Sequence, residues 1–303
     1  MARKRKGRDI SGWLVVDKPA GISSTQVVGK VRWALDAQKA GHAGTLDPMA
    51  TGVLVVGIER ATKLLGLLSL TTKSYAATIR LGAATDTDDR EGQVISRADA
   101  AHLGDDEIAA GVAALTGDIE QVPARVSAIK VDGRRAHALV RTGAEFDLAA
   151  RPVTVSRFDI VAIRRTDDGF VDVDAEVDCS AGTYIRSLAR DLGAALQVGG
   201  HLTALRPTAV GPFTLEHART LDTLREEPRL SLAIDDAAKL SFPHRDIDAD
   251  EAESISQGRW LTPIGRKETY VVIDPDGRAI ALVQEKGRRA SSVMVVWMPR
   301  PIL

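Results

Sequence analysis

The sequence predicts an α+β protein in which a large domain of mixed strands and helices precedes a small β-rich module. A chain of 303 residues, 44% hydrophobic and 27% charged, is long enough for one sizeable core and a second small one. Strand-like and helix-like patterns share residues 10–211, whereas the composition turns acidic over 215–255 and a hairpin pattern follows. We therefore predict a first domain over residues 1–240 and a second over 241–303.

Hydrophobic spacing predicts the elements of the first domain in order. The stretch "GWLVVDKP" is typical of a short strand, and "SSTQVVGKVRWALDA" begins with serine caps and continues with valines at helical spacing. The later predictions are a strand over 53–58, a short helix around 61–68, a strand in "SYAATIRLG", a capped helix in "DDEIAAGVAALTG", strands near 152–165 and 170–178, a helix over 183–196 and a strand over 201–211.

Two further segments complete the pattern. The basic stretch "QVPARVSAIKVDGRRAHALVRTGAEF" starts with a proline-interrupted segment and continues as strand, turn and helix, which indicates an exposed flap over about 121–151. In the second domain, "TYVVIDPDGRAIALVQEKG" predicts a hairpin that turns at Asp276-Gly277, and "SVMVVWM" predicts the next strand.

Several classes of protein are disfavoured by what the sequence lacks. No apolar run approaches the roughly 18 residues of a membrane span, and the basic start "MARKRKGRD" has no long apolar signal core after it. A single cysteine, Cys179, excludes an internal disulfide and a CxxC site, and the six histidines form no HExxH motif. The sequence also has no P-loop and no GxGxxG fingerprint. We therefore expect a cytosolic protein without a structural or catalytic metal.

The net charge of −1 conceals an uneven distribution of charged residues. Residues 1–50 carry nine Lys or Arg against four Asp or Glu, residues 121–165 carry nine against four, and residues 256–303 carry eight against four. Residues 82–120 carry two against ten. Three basic segments on one face would make a surface suited to RNA, while the alternative is that these charges only solvate the surface.

The loop "GHAGTLDPMATG" places a lone acid, Asp47, directly before the apolar run "VLVVGI". Asp-Pro is common in surface turns, because Asp opens turns and Pro fixes the next φ angle. An acid held by stiff backbone at the mouth of a buried strand is equally suited to catalysis. The loop alone does not decide between a turn and a catalytic group.

A cation near the start of a predicted helix is the second unusual feature. In "CSAGTYIRSLARDLGAAL", Arg186 falls in the first turn, where its charge opposes the helix dipole by roughly 0.3–1 kcal/mol. Nearby Asp178 offers one compensating anion. Alternatively, Arg186 points into a cleft and binds a distant carboxylate or phosphate, with Asp47 as a candidate partner.

Five linked motifs resemble the TruB-type tRNA pseudouridine synthases. They are "GWLVVDKPAGISS", "GHAGTLDPMATGVLVVGIERATK", "SYAATIRLGAATDTDD", "CSAGTYIRSLARDLG" and "HLTALRPTAVGPF", in matching order from about residue 10 to residue 213. The resemblance implies a mixed, largely antiparallel sheet flanked by helices and RNA-binding insertions, followed by a PUA-like C-terminal domain. It also implies isomerisation of uridine 55 in the T-loop of tRNA to pseudouridine, without cofactor, metal or guide RNA, by a monomer.

The resemblance assigns the chemistry to three residues. Asp47 matches the catalytic aspartate, which acts either as a nucleophile at the sugar or base or as a base toward a sugar proton. Arg186 matches the arginine that pairs with this aspartate, which favours the charged carboxylate and is expected to lower its pKa. Tyr75 matches the tyrosine that stacks on the target base, and its alternative is an ordinary half-buried strand aromatic.

The resemblance also assigns residues to substrate binding. His42 matches the histidine that enters the T-loop and helps to hold the target base out of its stack, although a loop histidine bonding its own turn is the alternative. Lys63 matches a lysine near the active site, with an exposed helix lysine as the alternative, and Asp89 matches an acid near the flipped nucleotide, with Asp86 and Asp88 as neighbouring alternatives. The remaining positions are Tyr184 and Leu205 in the wall of the pocket, and Lys130, Arg134, Arg135 and Arg141 as phosphate contacts on the flap. One departure is His137, where the family usually has a tyrosine.

The sequence leaves three alternatives to a tRNA pseudouridine synthase. The first is a guide-dependent rRNA pseudouridine synthase of the related archaeal and eukaryotic branch, which the basic flap of this chain disfavours. The second is an RNA chaperone with secondary catalysis, which the set of Asp47, Tyr75 and Arg186 disfavours. The third is a glycoside hydrolase, for which the usual pair of spaced carboxylates is not evident.

Overall fold

The structure is a computed structural model that describes residues 10–68, 71–127, 129–131, 133–136, 139, 142 and 146–297. For residues 67, 130, 131, 134 and 135 it describes the backbone alone. Within these ranges, none of the helices has both the length and the apolar composition that crossing a membrane requires.

Strands outnumber helices throughout the described chain. The helices are α1 (Ser24–Ala34), α2 (Leu65–Leu68), α3 (Asp105–Ala114), α4 (Ile185–Ala195), α5 (Leu221–Glu226), α6 (Ile234–Ser241) and α7 (Ala249–Ser256), with 3₁₀ turns at Glu59–Leu64 and Leu215–His217. The strands are β1 (Gly12–Lys18), β2 (Ala40–His42), β3 (Gly52–Ile58), β4 (Lys73–Leu81), β5 (Ala83–Thr85), β6 (Val94–Arg97), β7 (Gly117–Gln121), β8 (Lys130–Val131), β9 (Arg134–Arg135), β10 (Arg151–Arg165), β11 (Val171–Cys179), β12 (Gly200–Val210), β13 (Phe213–Thr214), β14 (Ala218–Arg219), β15 (Leu232–Ala233), β16 (His244–Asp246), β17 (Tyr270–Ile273), β18 (Ala279–Lys286) and β19 (Arg289–Val295).

The first sheet has the order β14-β1-β3-β2, with β15 also paired to β1. Its central strands β1 and β3 run antiparallel and are buried on both faces, which explains their continuous apolar sequences. Helix α1 covers one face with Val27 and Val31, and its start is a capping box formed by Ser23 and Gln26. This helix confirms the one predicted from the serine caps.

The second sheet is antiparallel, with the order β13-β12-β4-β11-β10-β7. Helix α4 packs on it through the predicted apolar stripe of Ile185, Leu188, Ala189 and Leu192, all of which are buried. The two sheets meet where Thr51, just before β3, donates its backbone N–H to the carbonyl of Leu205 on β12 at 3.0 Å. The predicted mixed, largely antiparallel architecture is thus confirmed, but it is divided between two abutting sheets.

A third sheet of order β16-β17-β18-β19 forms near the C-terminal end. Its hairpin turns through Asp274 to Gly277, as predicted, with the N–H of Gly277 bonded to the carbonyl of Asp274 at 2.9 Å. Val271 and Leu282 of this sheet share one apolar cluster with Trp13 of the first sheet. Helix α6 contributes Ala237 and Ala238 to the same cluster, so it lies between the two sheets.

The contact between helix α4 and strand β12 has no room for a side chain at Gly193. A Cβ atom there would lie 2.1 Å from the backbone nitrogen of Gly200. The carbonyl of Gly193 also accepts hydrogen bonds from Val198 and Gly199, each at 3.0 Å, which turns the chain directly from helix to strand. This close approach fixes the helix that carries Arg186 against the second sheet.

We expect Gly193→Ala to lower the free energy of unfolding by about 1–3 kcal/mol, because the added carbon must displace backbone rather than a flexible side chain. The measurement is urea unfolding followed by circular dichroism, with the midpoint converted through the slope of the transition.

The matched control is Gly29→Ala in helix α1, where a Cβ atom meets nothing within 4 Å. Both glycines are helical, so the second substitution should instead raise the free energy of unfolding by about 0.5–1 kcal/mol. Equal effects at the two positions would contradict the packing argument.

Candidate active site

Asp47 lies in the loop between β2 and β3, and two neighbouring segments hold this loop. The hydroxyl of Ser24 at the start of α1 accepts a bond from the N–H of Leu46 at 2.8 Å. The N–H of Gly21 donates to the carbonyl of Pro48 at 2.8 Å. The side chain of Asp47 keeps 29% of its surface exposed, so its carboxylate faces an accessible cleft.

A buried lysine supports the same loop from below. Lys18, the last residue of β1, is completely buried, and its ammonium donates to the carbonyls of Pro19 at 3.0 Å, Pro48 at 3.1 Å and Ala50 at 2.6 Å. Burial lowers the pKa of Lys18, while the charges of Asp47 and Glu91 raise it. The lysine thus ties the residues that follow Asp47 to the end of β1.

Arg186 holds the Asp47 carboxylate with two nitrogens. Its Nε lies 3.0 Å from Asp47 Oδ2, and its Nη2 donates to Oδ1 at 3.2 Å. The guanidinium also donates to the carbonyl of Thr87 at 2.9 Å and to that of Val126 at 2.8 Å. With only 6% of its side chain exposed, the arginine is fixed by four bonds and aims its fork at the acid.

Of two other acids, Asp89 lies next to Arg186 and Asp178 does not. Asp89 is buried, and its Oδ2 lies 3.5 Å from Arg186 Nη1 while its Oδ1 accepts from Thr87 and from the N–H of Glu91. Its carboxylate therefore faces the arginine and its own loop. Asp178, the alternative partner considered for Arg186, instead pairs with Arg157 at 2.7 Å.

The expected pKa shift of Asp47 is wrong in sign. Burial raises its pKa above the ordinary 3.8, and the charges of Asp89 and Glu91 raise it further. Arg186 and Lys18 act in the opposite direction but do not overcome the loss of hydration. The prediction of a lowered pKa considered only the salt bridge with Arg186. It did not include the burial of the carboxyl group, because burial cannot be read from the sequence.

Tyr75 lies on β4, half-buried and packed against the core of the second sheet. Burial raises the pKa of its hydroxyl, and the neighbouring Cys179 and Asp47 raise it further, so the phenol stays protonated at neutral pH. Leu205 on β12 is buried in the same core, and its carbonyl accepts the bond from Thr51 that joins the sheets. The Tyr75 hydroxyl therefore lies close enough to the Asp47 carboxylate to feel its charge, on a strand that is packed in the core.

A glutamine holds the start of helix α4 in place. Tyr184 caps this helix without a side-chain bond of its own. Instead, the buried amide of Gln121 accepts from the N–H of Tyr184 at 2.8 Å and donates to its carbonyl at 3.1 Å. Arg190 one turn beyond Arg186 donates to the carbonyl of Val122 at 2.7 Å. Gln121, Val122 and Val126 begin the flap, so helix α4 holds its base.

Two predicted binding residues differ in their surroundings. His42 ends β2, is half-buried, and its Nδ1 lies 2.7 Å from the carbonyl of Gly44, which is the turn contact considered as the alternative. Lys63 is exposed on the 3₁₀ turn after β3, and no contact in the described part of the chain joins its side chain to Asp47. The structure brings His42 to the same loop as Asp47 but leaves Lys63 on the surface.

The flap residues are described only in part. The backbones of Lys130, Arg134 and Arg135 form a two-stranded hairpin, with Lys130 opposite Arg135. Arg141 and His137 lie outside the described residues. Among the residues that the structure does describe, no group of three or more His, Cys, Asp or Glu side chains is placed to hold a metal ion.

Sequence reasoning missed Lys18 and Gln121 as parts of this site. Lysine is rarely buried, so Lys18 in "VVDKP" indicated only the end of a strand. Gln121 directly precedes the flap, and its bond to Tyr184 spans 63 residues of sequence. The only signals in the sequence were that Lys18 lies within the motif "GWLVVDKPAGISS" and that Gln121 begins the basic flap segment.

Comparisons with known proteins match most of the chain. A family model described as "TruB family pseudouridylate synthase (N terminal domain)" matches residues 32–185. Models described as "tRNA pseudouridylate synthase B C-terminal domain" and "tRNA Pseudouridine synthase II, C terminal" match residues 186–237 and 242–297. The matched segments include Asp47, Tyr75 and Arg186.

Similar proteins and structures extend over nearly the whole chain. The "tRNA pseudouridine synthase B" of Rhodococcus jostii is 69% identical over 287 residues, covering 94% of each chain, and that of Nocardia farcinica is 64% identical, covering 97% of this chain and 96% of the other. A solved Cbf5-Nop10-Gar1 complex is similar at 26% identity with a TM-score of 0.71, covering 95% of this chain and 85% of that one. By the family model and by these relatives, the chain belongs to the TruB family of pseudouridylate synthases.

Proposed function

We propose that this protein isomerises uridine 55 in the T-loop of tRNA to pseudouridine, with Asp47 as the catalytic carboxylate. The observation that carries the proposal is the accessible Asp47 carboxylate, held in a two-nitrogen fork by Arg186 beside the ring of Tyr75. Relatives that share up to 69% of their residues with this chain bear the name tRNA pseudouridine synthase B, which supports tRNA as the substrate.

The reaction assigns a task to each member of this group. Uracil must be detached from C1′ of the ribose, turned, and rejoined through C5, with no net oxidation or hydrolysis. The Asp47 carboxylate serves as the nucleophile at the sugar or base, or as the base that removes a sugar proton. Arg186 keeps the carboxylate charged and oriented, and Tyr75 stacks on the base with a protonated hydroxyl near C5.

RNA binding requires more than these three residues. The target base must leave its stack, which costs a few kcal/mol, and His42 at the rim of the Asp47 loop is placed to fill the space that it leaves. We assign the catalytic domain to residues 1–240, with the basic flap over about 121–151 clasping the T-arm. Residues 241–303 form a second RNA-binding domain, and the protein acts as a monomer without a guide RNA.

The decisive experiment incubates the purified protein with unmodified tRNA, with no guide RNA or partner protein, and maps pseudouridine by chemical modification and sequencing. We expect complete conversion at position 55 and none elsewhere in the tRNA. A guide-dependent function is the second candidate, because solved complexes that contain Cbf5 share this fold at 26% identity. Absence of conversion without a guide would favour that candidate.

We expect Asp47→Asn to abolish pseudouridine formation while leaving the Kd for tRNA within about threefold. The amide keeps the size of the side chain but removes the charge that attacks or accepts a proton. The measurements are product mapping over several hours and filter binding with unmodified tRNA. Turnover by the Asn variant would contradict the role given to Asp47.

Arg186→Lys should lower the single-turnover rate by about 100-fold or more. A lysine carries the charge but not the fork, and each hydrogen bond to a charged group contributes roughly 1.5–3 kcal/mol. The control is Arg80→Lys on β4, which removes an equivalent two-nitrogen fork that holds Asp172 and not Asp47. Comparable losses in both variants would mean that the loss of any such fork, and not of the bond to Asp47, lowers the rate.

The pH dependence of Asp47 follows from the direction of its pKa. Because the pKa is raised above 3.8, the carboxylate should protonate, and activity should fall, at a pH above that of an ordinary aspartate. Removing the lowering influence of Arg186 in Arg186→Gln should move the pKa still higher. Carbon-13 NMR titration of labelled aspartate carboxyls, assigned with Asp47→Asn, measures both values in the free protein. An Arg186→Gln pKa at or below the wild-type value would contradict the electrostatic account.

A further inference from the structure

Lys73 is a lysine of the cleft that the proposed chemistry does not use. It begins strand β4 and stands two residues before Tyr75, so both side chains project from the same face of the sheet. Cys179 on β11 and Val210 on β12 are its neighbours on the adjacent strands. The face that presents the ring of Tyr75 therefore also presents an ammonium group.

The ammonium reaches the loop that carries Asp47. A Cβ atom built on Gly44 would lie 3.5 Å from Lys73 Nζ, an ordinary contact distance, so the ammonium lies against the backbone of Gly44. Lys73 is half-buried, and this burial lowers its pKa. Among the described residues, none forms a hydrogen bond or an ion pair with the Lys73 ammonium in place of the lost water.

The other cations of the site already have partners. Arg186 is bound to Asp47 and to two carbonyls, and Lys18 donates to three carbonyls. The group next to Lys73 is the thiol of Cys179, whose pKa burial raises to about 11, so it is neutral at pH 7. Lys73 thus brings an uncompensated positive charge into the cleft, and a partly dehydrated cation favours an anionic ligand.

We infer that the Lys73 ammonium binds a backbone phosphate of the nucleotide whose base stacks on Tyr75. Uracil and ribose are uncharged, so the phosphates on the 5′ and 3′ sides of the target uridine are the anions that such a nucleotide brings. Positions two apart on a strand are separated by about 6.6 Å, a span that a single nucleotide covers between base and phosphate. This inference rests on the proposed function, because it uses the placement of the base on Tyr75.

A binding cycle between protein and RNA tests the contact. The probes are T-arm hairpins with a single uncharged methylphosphonate on the 5′ or the 3′ side of the target uridine, compared with the natural hairpin. We expect Lys73→Met to weaken binding about tenfold and to reduce the slope of log K against log salt by about 0.7–0.9. One of the two methylphosphonates should weaken wild-type binding to the same extent and should have no further effect on the Lys73→Met protein.

Matched variants separate charge from structure. Lys73→Arg should recover most of the affinity, and Lys239→Met, which removes an exposed lysine of α6 outside the three basic segments, should behave as wild type. The single-turnover rate at saturating RNA should change less than about threefold in Lys73→Met, because the contact holds the nucleotide without taking part in its chemistry.

Two results would overturn the inference. One is additivity, in which Lys73→Met and each methylphosphonate weaken binding independently. The other is a wild-type affinity that neither methylphosphonate changes, and this result needs no variant that must fold. Failure of the proposed function is distinguishable, because the natural hairpin would then bind the wild-type protein without forming pseudouridine.

Discussion

The bond between the Asp47 carboxylate and the Arg186 guanidinium is the interaction on which the rest of the site depends. It joins residues 139 apart in sequence, one from a loop of the first sheet and one from a helix packed on the second. An arginine buried without an anion would be strongly unfavourable, and a carboxylate alone in this cleft would bind a proton. Arg186 therefore favours the charged form of the carboxylate, the carboxylate balances the charge of the buried guanidinium, and together they fix where the two sheets meet.

Backbone carbonyl groups stabilise the buried cations around this pair. Lys18 neutralises no single acid directly but binds the three carbonyls around the Asp47 loop, and Arg186 uses two further carbonyls at Thr87 and Val126. Carbonyl oxygens accept hydrogen bonds from a buried cation as water molecules do in solution. Unlike carboxylates, they add no negative charge near the acid. Arg186 and Lys18 thus lie close to Asp47 and Asp89 with much of their hydrogen bonding directed to carbonyls. Their charges lower the pKa of Asp47 less than burial raises it.

Sequence reasoning reached the local elements and the acid–arginine pair, but not what depends on long-range packing. Helix α4 was predicted to within two residues at each end, because its apolar stripe is set by local spacing. The division into two sheets was not predictable, since Thr51 and Leu205 meet across 154 positions of sequence. The direction of the Asp47 pKa shift was predicted wrongly and the burial of Lys18 was missed for the same reason. A group loses its hydration only when segments distant in sequence pack over it.

Arg186 also links the Asp47 carboxylate to the base of the flap. One of its nitrogens, Nη2, donates both to Asp47 and to the carbonyl of Val126, and Val126 stands five residues after the Gln121 that caps the same helix. A displacement of the flap base must break the bond at Val126 or carry the guanidinium with it. Since the fork orients the carboxylate, the position of the flap and the geometry at Asp47 cannot vary independently. Under the proposed function, an RNA bound by the flap therefore also holds the Asp47 carboxylate in place.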